Sequence, residues 1–150
     1  MKEASIIIPM EKTHIKEVLE IERLTFSDPW SENAFIKCLK DVNCHYFTAL
    51  FENKVIGYAG YWGVLDEAQI YNVAVAESYR NKGIGKMLLN KLIAFALKED
   101  GRKRFLLEVR AGNISAIRLY EGLGFKKDGI RPKFYSNPEE DAVLMSLTFD

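Results

Sequence analysis

The chain has 150 residues, and its 21 lysines and arginines balance 21 aspartates and glutamates. A net charge of zero argues against a nucleic-acid-binding protein, because such proteins normally carry a marked excess of positive charge. With 48% hydrophobic residues, the chain is expected to form a single domain over residues 1–150. No stretch approaches the ~20 apolar residues of a membrane span, and the apolar run before Pro9 is too short for a signal peptide. We therefore expect a cytoplasmic protein with no membrane partner.

The cysteines and histidines are too few and too isolated to indicate a metal site. Cys38 and Cys44 lack the spacing of metal ligands, and two cysteines do not make a disulfide framework. We therefore expect both to be reduced thiols that pack as small apolar side chains. His14 and His45 have no acidic or cysteine partner at ligand spacing, so no metal is expected.

The N-terminal third is predicted to contain one strand and two helices. The segment ASIIIP has the composition of a short strand that Pro9 ends. Apolar residues at helical spacing in HIKEVLEIERLTF predict an amphipathic helix. A second helix is predicted in SDPWSENAFIKCLKD, with Ser31 as its N-cap and Phe35 in its apolar stripe.

From His45 onward the pattern is dominated by strands. HYFTALFE and KVIGYAGYWGV are predicted strands joined by a hairpin at Asn53-Lys54, and EAQIYNVAVAE is a third. A long helix follows the stretch SYRNKGIGKM and ends near Gly101; the strand KRFLLEVR, the helix NISAIRLYEGLGF and two final strands complete the chain. The order β-α-α-β-β-β-α-β-α-β-β indicates an α+β (mixed α/β) domain with a central mixed, mostly antiparallel sheet. A doubly wound fold is the less favoured alternative.

The stretch SYRNKGIGKM places two glycines among three cations at the start of a helix, which is typical of phosphate binding. A Walker A loop needs a serine or threonine after its lysine for Mg²⁺, but Met87 occupies that position. The dinucleotide fingerprint needs a third glycine where this chain has Leu88. What remains is Arg80-x-x-Gly83-x-Gly85, whose backbone N–H groups suit a pyrophosphate held without metal. A solvated, basic helix start is the open alternative.

Together with its neighbours, this stretch resembles the GNAT superfamily of acetyl-CoA-dependent N-acetyltransferases. The segment from Arg80 to Gly85 matches the pyrophosphate loop of that superfamily, and N-x-x-A-x-x-L-Y-x-x-x-G-F from Asn113 to Phe125 matches its second signature. The predicted element order is also that of the superfamily, over essentially the whole chain. The resemblance implies the GNAT fold, acetyl-CoA as cosubstrate and no metal.

Within that superfamily, the chain is most similar to the bacterial ribosomal-protein-alanine N-acetyltransferases, which acetylate a protein's N-terminal alanine. FSDPWSENAF, LDEAQIYNVAV, LEVRAGNISAIRLYEGLGF and IRPKFY carry this similarity, and related archaeal N-terminal acetyltransferases share much of it. Phe134 departs from the pattern, because such proteins often have a tyrosine before Tyr135. Trp30 and its neighbours are expected either to form one wall of the peptide groove, as in these relatives, or to anchor the first two helices.

The resemblance also assigns the residues that bind acetyl-CoA. The backbone of residues 73–75 aligns the pantetheine arm and polarises the acetyl carbonyl, as oxyanion donors do. The loop from Arg80 holds the pyrophosphate, and Asn113, before the last predicted helix, hydrogen-bonds the cofactor arm. The cofactor-binding residues implied in this way are Val73, Ala74, Val75, Arg80, Asn81, Lys82, Gly83, Ile84, Gly85, Lys86 and Asn113.

Two catalytic residues are implied by the same resemblance. Glu108 alternates with Leu107 and Val109, so it points to the opposite face of its strand. It matches the general base and would act through water, because an ordinary glutamate has a pKa of ~4.3. Tyr120 matches the general acid for the CoA thiolate. Since a cysteine-like thiol has a pKa of ~8.5 and tyrosine ~10, Tyr120 either has a lowered pKa or mainly stabilises the thiolate by a hydrogen bond.

The expected reaction is direct acetyl transfer from acetyl-CoA to a protein N-terminal α-amine. The expected partner is the N-terminal alanine of a small-subunit ribosomal protein. An α-amine with a pKa of ~7.7–8.0 is partly neutral at physiological pH, whereas a lysine amine at ~10.4 is not. Three alternatives stay open: acetylation of lysine side chains, acetylation of a small polyamine, and a non-catalytic CoA-binding module. A polyamine enzyme would favour an acidic pocket, and the sequence offers only the acidic run at Pro138–Asp141.

Overall fold

A computed structural model describes residues 5–150 and contains, within that range, seven strands and four α-helices in the predicted order. The predicted first strand begins at Ala4, which lies outside the described residues. Single turns of 3₁₀ helix occur at Lys12–His14 and Glu77–Tyr79. The elements are β1 (Ile6–Pro9), α1 (Ile15–Thr25), α2 (Glu32–Lys40), β2 (Cys44–Phe51), β3 (Lys54–Val64), β4 (Glu67–Val75), α3 (Ile84–Lys98), β5 (Arg104–Arg110), α4 (Ile114–Gly122), β6 (Lys126–Tyr135) and β7 (Glu140–Thr148).

The strands form one sheet in the order β1-β2-β3-β4-β5-β7-β6. Every neighbouring pair is antiparallel except β4 and β5, so the predicted mixed, mostly antiparallel sheet is confirmed. The β2–β3 hairpin turns at Glu52 and Asn53, one residue earlier than predicted. Both turn residues have positive φ angles, 51° and 64°. This is the backbone that a two-residue hairpin requires, and asparagine tolerates it well.

Helices cover both faces of the sheet and create two apolar cores. On one face, Leu88 of α3 and Ile117 of α4 belong to the larger core. On the other face, α1 and α2 pack against the sheet through residues such as Phe35. Because side chains alternate along a strand, the adjacent residues Tyr46 and Phe47 of β2 enter different cores. The apolar stripes read from the sequence therefore face inward on both sides.

Strands β4 and β5 pair only over their first residues. Glu67–Gln69 align with Arg104–Leu106. Beyond that point β4 continues to Val75 and β5 to Arg110 without pairing to each other. The two strands therefore separate toward their carboxyl ends. Crevices at the carboxyl ends of parallel strands are where open sheets commonly bind ligands.

A β-bulge in β4 changes the direction of the side chains at this opening. Gly60 and Tyr61 of β3 pair with Asn72 and Ile70, so Tyr71 has no partner on β3. Ile70 packs in the core beneath α3, whereas Asn72 hydrogen-bonds a side chain of α1 on the other face. Strict alternation would have placed both residues on one face. The bulge therefore turns the middle of β4 toward α1.

The expectation of two reduced thiols is wrong. Cys38 near the end of α2 and Cys44 at the start of β2 form a disulfide, with their Cα atoms 5.4 Å apart. The chain reverses between them at Asp41, whose side chain accepts the N–H of Asn43 and whose carbonyl accepts the N–H of Cys44. The separation of six residues along the chain does not reveal this reversal, which brings the Cα atoms into the range that a disulfide spans.

Membrane spans and metal clusters are not found in residues 5–150. No helix there is long and apolar enough to cross a membrane, and no group of three or more histidine, cysteine or acidic side chains is placed to hold a metal ion. Nε2 of His45 lies 3.5 Å from the carboxylate of Asp100, a residue distant from it in the sequence. His14 accepts the backbone N–H of Glu11 through Nδ1.

Candidate active site

Two cavities lie at the opening between β4 and β5. We call the smaller one, of about 310 Å³, the carboxylate cavity, because Glu22, Asp28 and Glu108 line it. We call the larger one, of about 730 Å³, the glycine cavity, because Gly83 and Gly85 line it. The residues common to both walls are Thr25, Val73, Asn113, Ala116 and Tyr120. The two cavities therefore meet between β4 and α4.

The glycine cavity contains all but one of the predicted cofactor-binding residues. Lys82 is the exception, because it is exposed and does not line the cavity. Sequence reasoning did not assign Tyr79, Ser115, Arg118 or Leu119, which also line it. The predicted residues in the wall are Val73, Ala74, Val75, Arg80, Asn81, Gly83, Ile84, Gly85, Lys86 and Asn113.

The backbone at the start of α3 is arranged to receive an anion. Gly83 caps the helix with a φ of 81°, in the left-handed region that favours glycine, and Asn81 has a φ of 61°. A Cβ atom on Gly85 would lie 3.3 Å from the side chain of Leu119, so a larger residue would crowd the wall formed by α4. The unpaired N–H groups of the first helical turn and the helix dipole favour a negative group here.

Basic side chains reach the glycine cavity from two elements. Arg80 braces its own loop, because its Nε donates to the carbonyl of Val75 at 2.8 Å. Lys86 of α3 and Arg118 of α4 are exposed side chains in the cavity wall. Arg118 follows Ser115, another wall residue, by three positions and so shares its helix face. The arrangement suits a pyrophosphate held without metal.

Glu108 is held at the carboxylate cavity by a neighbour on β4. Leu107 and Val109 pack in the core beneath α3, and Glu108 points to the other face, as alternation predicted. Gln69 lies at the last paired position of β4. Its Nε2 donates to both carboxylate oxygens of Glu108, at 3.3 and 3.4 Å. Sequence reasoning missed Gln69, since no motif connects these two positions.

Two tyrosines of the cavity wall are within electrostatic reach of Glu108. Burial and the charge of Glu108 raise the pKa of Tyr71. Burial and the same carboxylate raise the pKa of Tyr135 to about 12, although Arg110 opposes the shift. Both side chains therefore remain neutral phenols at physiological pH and can donate hydrogen bonds in the cavity.

Tyr120 borders both cavities but is only 8% exposed. Burial, with a further contribution from Tyr135, raises its pKa well above the ordinary value. Among the described residues, its hydroxyl makes no side-chain hydrogen bond. The sequence left two possibilities for Tyr120: a lowered pKa, or a hydrogen bond that stabilises the thiolate. The burial of Tyr120 disagrees with a lowered pKa. The phenol stays protonated and has its proton free to donate to a ligand.

Arg110 joins two loops at the edge of the carboxylate cavity. Its Nη2 donates to the hydroxyl of Ser27 after α1 and to the carbonyl of Ser136 after β6. Its Nη1 donates to the carbonyl of Pro138 and to Glu140. The guanidinium is therefore already engaged by the protein. Its signal in the sequence was its position two residues after Glu108, on the same strand face.

Trp30 forms an aromatic wall of the same cavity. Its ring lies 5.2 Å from that of Phe35 of α2 and 6.0 Å from that of Tyr71 of β4. The ring packs on the second helix and also borders the cavity, and its role as a wall of a peptide groove stays a prediction. Phe134, where a tyrosine was expected, is 42% exposed and does not line the cavity.

Residues 15–125 match the model of the acetyltransferase (GNAT) family. The chain belongs to this family. It is therefore an acyltransferase of the GNAT type with acetyl-CoA as its acetyl donor. The family match spans the strand, the glycine loop and the helix that build the glycine cavity, so the predicted family is confirmed.

Named relatives and solved structures agree with this assignment. The ribosomal protein bS18-alanine N-acetyltransferase of Haemophilus influenzae is 39% identical over 145 residues, covering 95% of this chain and 97% of the relative. The enzyme of that name from Escherichia coli K12 is 36% identical over 143 residues, covering 94% and 95%. The crystal structure of the Escherichia coli ribosomal-protein-S18-alanine N-acetyltransferase superposes with a TM-score of 0.86, covering 96% of this chain and 93% of that one. Arabidopsis thaliana NAA60 in complex with acetyl-CoA, 20% identical with a TM-score of 0.88, shares the fold.

The residues of this GNAT chain fit acetyl-CoA on structural grounds. The glycine cavity is the larger of the two and has a basic wall, which suits the pyrophosphate of CoA. Gly85 has no side chain that would crowd Leu119 in the wall of this cavity.

Proposed function

We propose that this GNAT acetyltransferase transfers acetyl from acetyl-CoA to a protein N-terminal α-amine, and that its substrate is the N-terminal alanine of ribosomal protein bS18. The observation that carries the proposal is the meeting of the two cavities beside Val73 and Tyr120. A thioester in the glycine cavity would end where an amine in the carboxylate cavity begins. Relatives of nearly the same length, 36–39% identical, have names that state this activity.

On the donor side, we assign the pyrophosphate to the backbone of the loop over residues 81–86, assisted by Lys86 and Arg118. The backbone of residues 73–75 is assigned to the pantetheine arm and the acetyl carbonyl. That part of β4 has separated from β5, so its edge can pair with an extended ligand as a strand would. Asn113 caps α4 through its Oδ1, which accepts the N–H of Ala116. Its side-chain amide group is therefore turned outward and assigned to the cofactor arm.

On the acceptor side, the amine must lose a proton before or as it attacks the acetyl carbonyl. We assign Glu108 to accept that proton through water, with Gln69 holding its carboxylate. The new N–C bond forms as the C–S bond breaks, and the CoA thiolate leaves with a hydrogen bond from Tyr120. The second proton that the nitrogen loses as it becomes an amide passes through water to the thiolate, which leaves as the thiol. An α-amine loses its proton about 2.5 pKa units more readily than lysine, a difference of roughly 3.5 kcal/mol. A weak base such as Glu108 therefore suits an α-amine.

The acidity of the carboxylate cavity bears on the polyamine alternative. The sequence suggested only the run at Pro138–Asp141 as an acidic cluster, whereas Glu22, Asp28 and Glu108 come together in one wall. The cation in that wall, Arg110, is engaged by Glu140 and backbone carbonyls. An acidic wall attracts any cationic acceptor, so a polyamine belongs in the same experiment as a peptide.

The test is incubation with acetyl-CoA and three acceptors, with the products identified by mass. The acceptors are a peptide with the N-terminal sequence of bS18, the same peptide with its α-amine blocked and a lysine retained, and spermidine. We expect acetylation of the first alone, and replacement of its first residue should reduce the rate. Faster transfer to the blocked peptide or to spermidine would contradict the proposal. Absence of CoA release with every acceptor would favour a non-catalytic CoA-binding module.

A further inference from the structure

Glu22 of α1 is a buried carboxylate that has no part in the reaction described above. It is only 1% exposed, yet it forms part of the wall of the carboxylate cavity. No ion pair among residues 5–150 includes it. A buried charge without compensation is strongly destabilising. Neutral hydrogen-bond donors must therefore stabilise this carboxylate.

Three groups from different parts of the chain donate to Glu22. The backbone N–H of Trp30, in the loop after α1, donates to Oε2 at 2.9 Å. The hydroxyl of Tyr58 of β3 donates to Oε1 at 2.5 Å. The side-chain amide of Asn72 of β4 lies 3.2 and 3.3 Å from the two oxygens. One carboxylate thus connects a helix, a loop and two strands.

Tyr46 determines which way Asn72 is turned. Its hydroxyl donates to Oδ1 of Asn72 at 2.5 Å, so the NH₂ group of Asn72 faces Glu22. Burial, together with the charge of Glu22, raises the pKa of Tyr46. The hydroxyl therefore stays protonated and continues to donate. Without that hydroxyl, the amide of Asn72 could rotate and present its oxygen to the carboxylate.

Two of the three donors belong to the walls of the acceptor site. Trp30 supplies the aromatic wall, and its ring faces that of Tyr71 across 6.0 Å. Asn72 lies between Tyr71, the bulge residue, and Val73, whose backbone is assigned to the acetyl carbonyl. Glu22 therefore links the loop that carries one wall to the strand that carries the other.

We propose that Glu22 is a positioning residue for the acceptor: it holds the Trp30 wall and the β4 bulge at a fixed separation and so determines how tightly the carboxylate cavity binds the acceptor. The inference rests on the proposed function, because it takes the carboxylate cavity as the acceptor site. Glu22 does not line the glycine cavity. Replacing Glu22 should therefore weaken binding of the acceptor and leave binding of acetyl-CoA unchanged.

The kinetic test compares Glu22→Gln and Tyr46→Phe with Tyr61→Phe as a matched control. Tyr61 is also fully buried and donates to a carboxylate, that of Asp100, but lines neither cavity. For Glu22→Gln, we expect the KM of the bS18 peptide to rise about tenfold, with kcat and the Kd of acetyl-CoA changing less than about twofold. Tyr46→Phe should give the same pattern more weakly, and Tyr61→Phe should not give it.

Hydrogen–deuterium exchange supplies a readout that needs no acceptor. Glu22→Gln should accelerate exchange at the N–H of Trp30, and Tyr61→Phe should leave it slow. If Glu22→Gln does not fold, Tyr46→Phe, which keeps the carboxylate, carries the kinetic test. An unchanged acceptor KM, or equal weakening of peptide and acetyl-CoA, would overturn the inference. If the wild-type protein acetylates no peptide, the proposed function fails, and slow exchange at Trp30 in Glu22→Gln would separately refute the role of Glu22.

Discussion

Replacing Tyr120 by phenylalanine should lower turnover and leave the fold intact. The hydroxyl of Tyr120 makes no side-chain hydrogen bond among the described residues, and burial keeps it protonated by raising its pKa. Tyr120 also borders both cavities. The free hydroxyl is therefore assigned to the leaving thiolate, and its removal should be felt mainly in the reaction.

The expected loss of turnover and the expected small change in stability both follow from the surroundings of the Tyr120 hydroxyl. A hydrogen bond to a charged group contributes about 1.5–3 kcal/mol, and each 1.36 kcal/mol is tenfold in rate. We therefore expect kcat to fall about 10- to 150-fold. Since no internal hydrogen bond is lost, the free energy of unfolding should change by less than about 0.5 kcal/mol, below the ~0.5–1.5 kcal/mol of a typical hydrogen bond.

The assay is CoA release with the bS18 peptide, combined with urea unfolding. Tyr61→Phe gives the opposite pattern as a control, because it removes the 2.8 Å hydrogen bond to Asp100. It should lose about 1.5–3 kcal/mol of stability and keep its kcat. Unchanged kcat in Tyr120→Phe, with the protein folded, would refute the role assigned to the hydroxyl. A large loss of stability in Tyr120→Phe would refute the view that the hydroxyl is free.

Three further predictions concern the donor site, the disulfide and acid stability. Gly85→Val should weaken acetyl-CoA binding about tenfold by crowding the α4 wall, as measured by calorimetry, whereas Gly129→Ala, which has open space around it, should not. Cys38 and Cys44 should resist iodoacetamide in unfolded, unreduced protein and react after reduction, as measured by mass; labelling without reductant would contradict the disulfide. Although burial opposes it, hydrogen bonds from neighbouring side chains hold the pKa of Asp100 below its ordinary value. Its stabilisation is therefore present above the unfolded pKa of ~3.9 and lost as pH falls below it. Asp100→Asn should lose less stability than wild type between pH 6 and pH 3, and equal losses in urea titrations would refute this.

Much of the fold was readable because its signals are local. Apolar residues at helical or alternating spacing predicted every element in order, and the antiparallel hairpins followed from short connections. The glycine loop was also readable. Gly83 adopts a left-handed backbone at the start of α3, and Gly85 packs closely against Leu119 of α4. Alternation along β5 placed Glu108 on the correct face.

The contacts that shape the carboxylate cavity were not readable in the same way. Gln69 and Glu108 are 39 residues apart, Glu22 and Asn72 are 50 apart, and Ser27 and Arg110 are 83 apart. No local pattern pairs such residues. The bulge at Tyr71 also reversed the alternation that a regular strand would have followed, and the pairing of Cys38 with Cys44 depended on a chain reversal.

The sequence by itself determined the elements, their order, the glycine loop and the family, because each depends on residue types at short, fixed spacings. Only the tertiary structure decided the make-up of the carboxylate cavity: which carboxylates share it, which arginine is engaged by the protein, and that Tyr120 is buried enough to keep its proton. These properties depend on burial and on hydrogen bonds between distant segments. They exist only once the separated strands β4 and β5 have been covered by α1, α4 and their loops.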